Sequence, residues 1–395
     1  MSLQKRNLCK TRALVMCMAN PSRNPRPRRV IELLRSQGCE VDLLSYKSDG
    51  DLDVRSEYEI KSSYSSAVLF RALRLAAKLL RNLVPFPEFK NKINEWLLDL
   101  QNWDHLSEND YDLLSVENIE LLPLALRIKR GHTKVLCDLR EYYPREFESS
   151  PLFRLLESGF KYSLCTNYLN KCDALISVSP GLVAEYSRQF QLDVTLVRST
   201  PVYRDVAVTK PTGNVIRMVH HGVASRERNL ANMINLFDYL DERFQLDFYL
   251  TGDSRYKAEL MELAAPYKKI RILDPVPFNQ IIPMLNQYDI GLYLLEPAGF
   301  NTRYSLPNKL FEYIQARLMV AVGPSPDMAY LVDAHQCGMV SSTFEPKGMA
   351  NLLNQLTLDQ IMQFKLNSDL AARDLCFETE SKKLISIMKG FEKPA

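Results

Sequence analysis

The sequence predicts an α/β protein built on two doubly wound parallel sheets. Short apolar runs alternate with helical stretches along both halves of the chain. The alternation lapses once, in the turn-rich VAVTKPTGN at 206–214. At 395 residues the chain is long enough for two domains with separate cores. The expected limits are 1–206 and 207–374, with a terminal helical stretch at 375–395 that could cross back to the first domain.

The first unit opens with RALVMCMANPSRNPRPRRVIELLRSQGCEVDLLSY, residues 12–46. An apolar run, a polar Pro-rich loop, a helix ending at Gly38 and a second apolar run make a βαβ unit. Residues 110–144 add strand, helix and a strand at Lys134–Cys137, and Leu152 to Asp173 reads as one helix. ALISVS (174–179), a helix after Pro180 and VTLVRS (194–199) complete the half. In the second half the strands are VIRMVHHG, LDFYLTGD, KIRILDP, DIGLYLLEP, MVAVGP and GMVS, each followed by a helical or loop segment. Such sheets bind ligands beyond the carboxyl ends of their strands, so two facing domains imply a cleft between them. A helical stretch from Met362 to Phe391 ends the chain.

A net charge of +3 makes no global demand for nucleic acid as partner. The eight cysteines show no CxxC pair and no histidine at metal-ligand spacing, which suits buried thiols in a reducing compartment. No apolar run reaches the ~18 residues of a membrane span, and the opening MSLQKRN lacks a signal-peptide core. A cytoplasmic protein is expected. The Asp pairs DLD (51–53) and DYD (110–112) have the spacing of a metal-binding motif, but short Asp pairs serve more often in solvated loops and caps. No metal and no cofactor are expected.

The stretch SLPNKLFEYI, from Ser305 to Ile314, reads as a helix start with Ser305 as N-cap and Pro307 in the first turn. Leu310, Phe311, Ile314 and Leu318 share an apolar face, while Asn308 and Glu312 lie four apart on another. Free N–H groups in the first turn suit a phosphate. Glu312, one turn in, could accept from two ribose hydroxyls or simply face water.

This segment, with ARLMVAVGPSPDMAYLV after it, resembles the donor site of retaining glycosyltransferases with the two-Rossmann GT-B architecture. That large family (family 4-like) includes many bacterial polysaccharide and lipid glycosyltransferases, and the resemblance covers nearly the whole chain. It implies a nucleoside diphosphate sugar as co-substrate and a carbohydrate or lipid-linked acceptor, without a metal. The diphosphate would sit on Ser305, Leu306, Pro307, Asn308 and Lys309, and the ribose on Glu312. HHGVASRERNL (220–230) matches the family's glycine with Gly222 and its basic residue with Arg228. DPVPFNQI places Val276 near the base, and LTGD matches a glycine turn at Gly252. In the first half, NPRPRR resembles DPRVRR and VLCDLREYYP resembles VYDAHEYYP. The acceptor side would then include Arg26, Asp138, Arg140 and Glu141.

Three departures stand out. Tyr304 occupies the position, eight before Glu312, where many relatives carry a glutamate near the donor sugar, although relatives with Leu-Pro-Asn-Lys often lack it too. Sugar contacts would then fall to Phe300, Asn301, Arg303 or backbone. Arg140 replaces the histidine of DAHE, so no histidine role transfers and the catalytic group is unknown. Arg317 and Met319 replace a Gly and a Pro. A catalytically silent sugar-nucleotide-binding scaffold subunit and a GT-B sugar-nucleotide epimerase are therefore the competing readings.

One further pattern is AVLFRALRLAAKLLRNLVP (67–85), with Arg71, Arg74, Lys78 and Arg81 opposite Leu69, Leu73, Ala76, Leu80 and Leu83. Such a helix can lie on an anionic leaflet, a peripheral contact at the inner membrane face. A domain helix with its apolar side on the core and its basic side in water is the simpler expectation.

Overall fold

The computed structural model describes residues 11–61, 68–100 and 103–391. The opening MSLQKRN, Cys9, the start of the 67–85 segment with the Leu69 side chain, and residues 392–395 lie outside the described part.

The first sheet contains β1 (Arg12–Met16), β2 (Glu40–Ser45), β3 (Ser56–Glu59), β4 (Leu113–Val116), β5 (Lys134–Leu139), β6 (Ala174–Ser177) and β7 (Thr195–Leu196). Its order is β3-β2-β1-β4-β5-β6-β7, and its strands pair in parallel. The second contains β8 (Ile216–Ala224), β9 (Phe244–Gly252), β10 (Ile270–Leu273), β11 (Ile290–Tyr293), β12 (Met319–Val322) and β13 (Gly338–Val340), in the order β10-β9-β8-β11-β12-β13 and again parallel. Among the described residues, 11–178, 182–197 and 385–391 group into one compact unit, and 179–181 with 198–384 into the other.

Burial on both faces makes the strands continuous apolar runs. Ile216, Met218, Met319 and Ala321 pack into one core cluster, while Val219, Val320 and Val322 pack into another on the opposite face. β3, the SEYE edge strand, was not expected: its side chains are half in water, so it carries no apolar run.

The two sheets share one buried device. Asp42 on β2 accepts from Arg55 Nε at 2.8 Å and from Tyr111 Oη at 2.7 Å. Asp247 on β9, the equivalent strand, accepts from Arg271 Nε at 2.7 Å and Tyr288 Oη at 2.6 Å. Each tyrosine precedes an aspartate, Asp112 or Asp289, that accepts a backbone N–H of Arg12 or Arg217 at 2.8 and 2.9 Å. A buried carboxylate needs such partners to remain inside.

Three expectations are corrected. Leu152 to Asp173 is interrupted: α-helix at Pro151–Phe153, a π-helical segment at Arg154–Ser158, α-helix at Gly159–Tyr168 and a 3-10 turn ending at Lys171. The terminal stretch is two helices, Leu358–Asp374 and Phe377–Phe391, broken at Leu375 and Cys376.

Helix Val68–Leu83 has its polarity reversed. Arg81 is buried, donating to Leu156 O at 2.8 Å and Asn94 Oδ1 at 3.2 Å and pairing with Glu157 at 2.6 Å. Lys78 also meets Glu157, at 2.6 Å, and Arg74 donates to Leu97 O at 2.8 Å. Leu73, Leu80 and Leu83 face water. The π-helical turn supplies the carboxylate and carbonyl that a buried guanidinium requires, and residue pattern alone does not show such acceptors. Among the described residues, no helix is long and apolar enough to cross a membrane. Of the seven described cysteines, six are buried free thiols.

Candidate functional site

In the second sheet the strand order reverses between β8 and β11. Pairing between these two strands stops at Val219 and Gly291, so a crevice opens beyond it, where such sheets bind ligands. His220 bridges the opening with Nδ1 2.9 Å from Leu292 O, while its buried Nε2 has no partner. Burial, and then the charge of Lys309, hold its pKa well below the ordinary histidine value.

Helix Asn308–Gln315 starts at this crevice. Leu310, Phe311 and Ile314 are buried as the apolar face requires, and Leu318 beyond the helix is buried too. Tyr313 lies against Gly291, where an added Cβ would come within 2.3 Å of its Cγ. Lys309 crosses Gly222, whose φ is +132° and whose added Cβ would come within 2.2 Å of Lys309 Cε. Gly222 is therefore needed for both its conformation and the space it leaves.

Burial, and then the charge of Arg228, lower the Lys309 pKa to about 8 against the opposing pull of Glu312. Arg226, two residues before Arg228, is paired with Glu259. Among the described residues, neither Lys309 nor Arg228 has a carboxylate ion pair. Two cations that repel each other, neither in a direct ion pair, make the start of this helix favourable to an anion. Glu312 is buried beside them, with Oε2 3.2 Å from His221 Nε2.

The structure thus brings Gly222, Arg228, Lys309 and Glu312 together. Ser305 is not the N-cap: its hydroxyl donates to Thr302 O at 3.0 Å, closing the preceding turn. Pro307 caps the helix through extended backbone, φ −70° and ψ 149°, with no side-chain bond. Proline also disfavours helical backbone at Leu306, so the helix cannot begin as early as the pattern suggested. Leu306 is buried and Asn308 exposed. Gly252, with φ +96°, pairs with Ala224, and an added Cβ would lie 2.9 Å from the Ala224 oxygen, so both backbone conformation and space require glycine there. Val276 lies in the loop after β10.

In the first sheet the order reverses between β1 and β4. Glu117 follows β4 directly and is fully buried, with no hydrogen bond to either carboxyl oxygen. Burial, and then the neighbouring Asp138 charge, raise its pKa to about 7. Arg26, on the helix Pro25–Ser36, forks onto Asp138 through Nε and through Nη2 at 3.0 Å, and also donates to Val197 O at 3.2 Å. These two charges are committed to each other. Arg140 Nε lies 4.0 Å from Glu117, and Glu141 is half-buried with its pKa raised to about 7 by burial and then by Glu146.

The Asp pairs serve separate arginines and a strand start. Asp51 meets Arg28 at 2.6 Å, Asp53 meets Arg35 at 2.9 Å and Asp110 meets Arg130 at 3.1 Å, while Asp112 binds the Arg12 N–H. Arg317 explains the departure from glycine: its φ is +60° in a helix-ending motif, with Leu318 N bonded to Tyr313 O and Arg317 N to Ile314 O, each at 3.0 Å. Its buried guanidinium offsets that backbone cost through Asp369 at 2.6 Å and Arg204 O at 2.9 Å. Tyr304 packs against Phe300, ring centroids 4.8 Å apart with their planes tilted by 45°.

Sequence reasoning passed over His220, His221 and Glu117. The signal was there, since Glu117 stands just beyond an apolar strand, and His220 and His221 interrupt the apolar run of β8 where its pairing with β11 stops, each strand adjoining a strand-order reversal. Strand order itself cannot be read from one chain.

No protein-family model matches the sequence, and no curated protein does. Solved structures do match in shape. A sucrose-phosphate synthase from Thermosynechococcus elongatus superposes with a TM-score of 0.71 at 10% identity, over 96% of this chain and 98% of that one. A glycosyltransferase from Rickettsia africae gives 0.67 at 15%, over 98% and 100%. Anabaena HepE in complex with UDP and glucose gives 0.65 at 10%, over 96% and 100%. At these identities the likeness is one of architecture, and this chain has the two-sheet GT-B fold of those proteins.

Proposed function

We propose that the protein is a retaining glycosyltransferase that moves a sugar from a nucleoside diphosphate sugar to an acceptor hydroxyl. The observation that carries this reading is the Arg228–Lys309 pair, neither of them in a direct ion pair among the described residues, at the start of helix Asn308–Gln315. A diphosphate would neutralise both cations and accept from the free N–H groups of the first helical turn. Glu312, one turn further in, would accept from the ribose hydroxyls, with His221 Nε2 3.2 Å from its Oε2. Charge grows on the leaving diphosphate during transfer, and groups already aimed at it lower that barrier without a metal ion. Acceptor recognition is read on the first unit, from Arg140 and Glu141; with Arg26 tied to Asp138, that pair acts as a fixed support. A carbohydrate or lipid-linked acceptor suits these polar groups.

The test is a thermal-shift series with UDP, GDP, ADP and CMP, followed by turnover of the sugar donor that corresponds to the stabilising base. One nucleoside diphosphate should raise the melting temperature, and Glu312→Ala should weaken its binding about tenfold. Unchanged binding would remove Glu312 from the ribose. Donor converted without acceptor would mark an epimerase, and donor bound without product a silent subunit.

A further inference from the structure

We propose that the exposed leucine and phenylalanine face built by helices Val68–Leu83, Pro87–Leu98 and Pro151–Phe153 docks on an anionic lipid surface. Leu80 is 54% exposed, Leu83 81%, Phe86 63%, Phe89 56%, Leu152 64% and Leu155 62%. They adjoin one another: Asn82 Nδ2 donates to Leu155 O at 2.8 Å, and the Phe86 and Phe89 rings stand 6.4 Å apart. Six large apolar side chains more than half in water form a surface that soluble proteins avoid unless something covers it.

The face is held outward by structure. Arg81, Lys78 and Arg74 anchor the opposite side of the first helix to Glu157 and the Leu97 carbonyl, so its leucines cannot turn inward without stripping a buried guanidinium of its partners.

Charge selects the occupant. Apart from Arg74, Lys78 and Arg81, which anchor the opposite side, residues 68–98 carry Arg71, Lys90 and Lys92 against Glu88 and Glu95, and Glu95 is paired with Arg127. Arg71 and Lys92 are exposed on the same two helices. In a two-fold dimer this face would meet its own copy, setting Arg71, Lys90 and Lys92 against the same three cations. An anionic leaflet offers apolar burial and opposite charge together. The inference concerns the first unit alone and requires no sugar nucleotide, so it stands or falls separately from the proposed transfer reaction.

The experiment is flotation of the full chain with vesicles of mixed phosphatidylglycerol and phosphatidylcholine, and with phosphatidylcholine alone. The chain should float with the mixed vesicles and far less with the neutral ones. Leu83→Glu combined with Phe86→Ser should lower binding about tenfold or more, because buried acyl-chain contact is lost. Arg71→Glu with Lys92→Glu should lower it several-fold on mixed vesicles only. Both variants should keep the parent melting curve, since the altered side chains are exposed. Failure to bind mixed vesicles overturns the proposal, as does equal binding by the apolar-face variant. A concentration-dependent dimer abolished by Leu83→Glu would also overturn it, assigning the face to a second copy.

Discussion

In the first sheet, Tyr111 and Arg55 close on Asp42; in the second, Tyr288 and Arg271 close on Asp247 across equivalent strands. At the opposite ends of the same strands the two units part company. Where β1 and β4 diverge, the first unit's counterpart of that crevice is occupied by buried acid: Glu117 and Asp138, with Arg26 and Arg140 around them. Where β8 and β11 diverge stand His220, His221, Lys309 and Arg228, with Glu312 the one carboxylate among these residues. The difference follows from what each end must do. A side chain between paired strands has to satisfy its neighbours in the ladder, so both sheets solve that problem alike. Residues beyond the last position paired across the reversal no longer meet a partner strand on that side, so they are free to specialise.

The shared base should respond alike in both units, and this is the largest effect expected. Asp42→Ala and Asp247→Ala each take the buried acceptor from a tyrosine hydroxyl and an arginine, at a cost of about 2–3 kcal/mol in denaturant unfolding. The loss should be smaller at Asp247, because Arg271 is 64% exposed against 33% for Arg55. A large loss in one unit and none in the other would break the equivalence.

The crevices should respond oppositely. Lys309→Met should weaken nucleoside diphosphate binding about 10–100-fold, the range for a charge-assisted contact, while Arg140→Met leaves it unchanged. Equal effects would undo the assignment of the donor to the second unit. The Lys309 pKa near 8 adds a pH signature. A diphosphate favours the ammonium form, so affinity should be flat below about pH 8 and fall above it, with proton uptake on binding in calorimetry.

Glu117→Gln should stabilise the protein by about 1–3 kcal/mol at about pH 8, and by progressively less toward pH 4. With a native pKa near 7, raised above the ordinary carboxylate value, the folded chain keeps a proton that the unfolded chain releases. Stability therefore falls as pH rises through that interval, and the neutral amide escapes the penalty. Melting curves of both proteins across pH would expose a contrary slope. The smallest change is Ser305→Ala, expected within about 0.5 kcal/mol because the hydroxyl caps no helix, whereas a true N-cap would cost about 1 kcal/mol.

Much of this was legible in the chain. The two α/β halves, all six strands of the second sheet and the buried face of helix Asn308–Gln315 follow from runs and periods of apolar residues, because strand and helix geometry impose those periods. Gly222, Lys309 and Glu312 were also selected from sequence as one group, and the structure places them side by side. What sequence could not supply was partnership. The Asn308 start depended on where Ser305 found its acceptor, and the orientation of helix Val68–Leu83 on a π-helical turn more than seventy residues away. The buried acids of the first crevice depended on which strands became neighbours. Local periodicity determined what each segment would be. Only the tertiary structure decided which charges would meet, because a charge's place is set by partners that the chain brings near only when it folds.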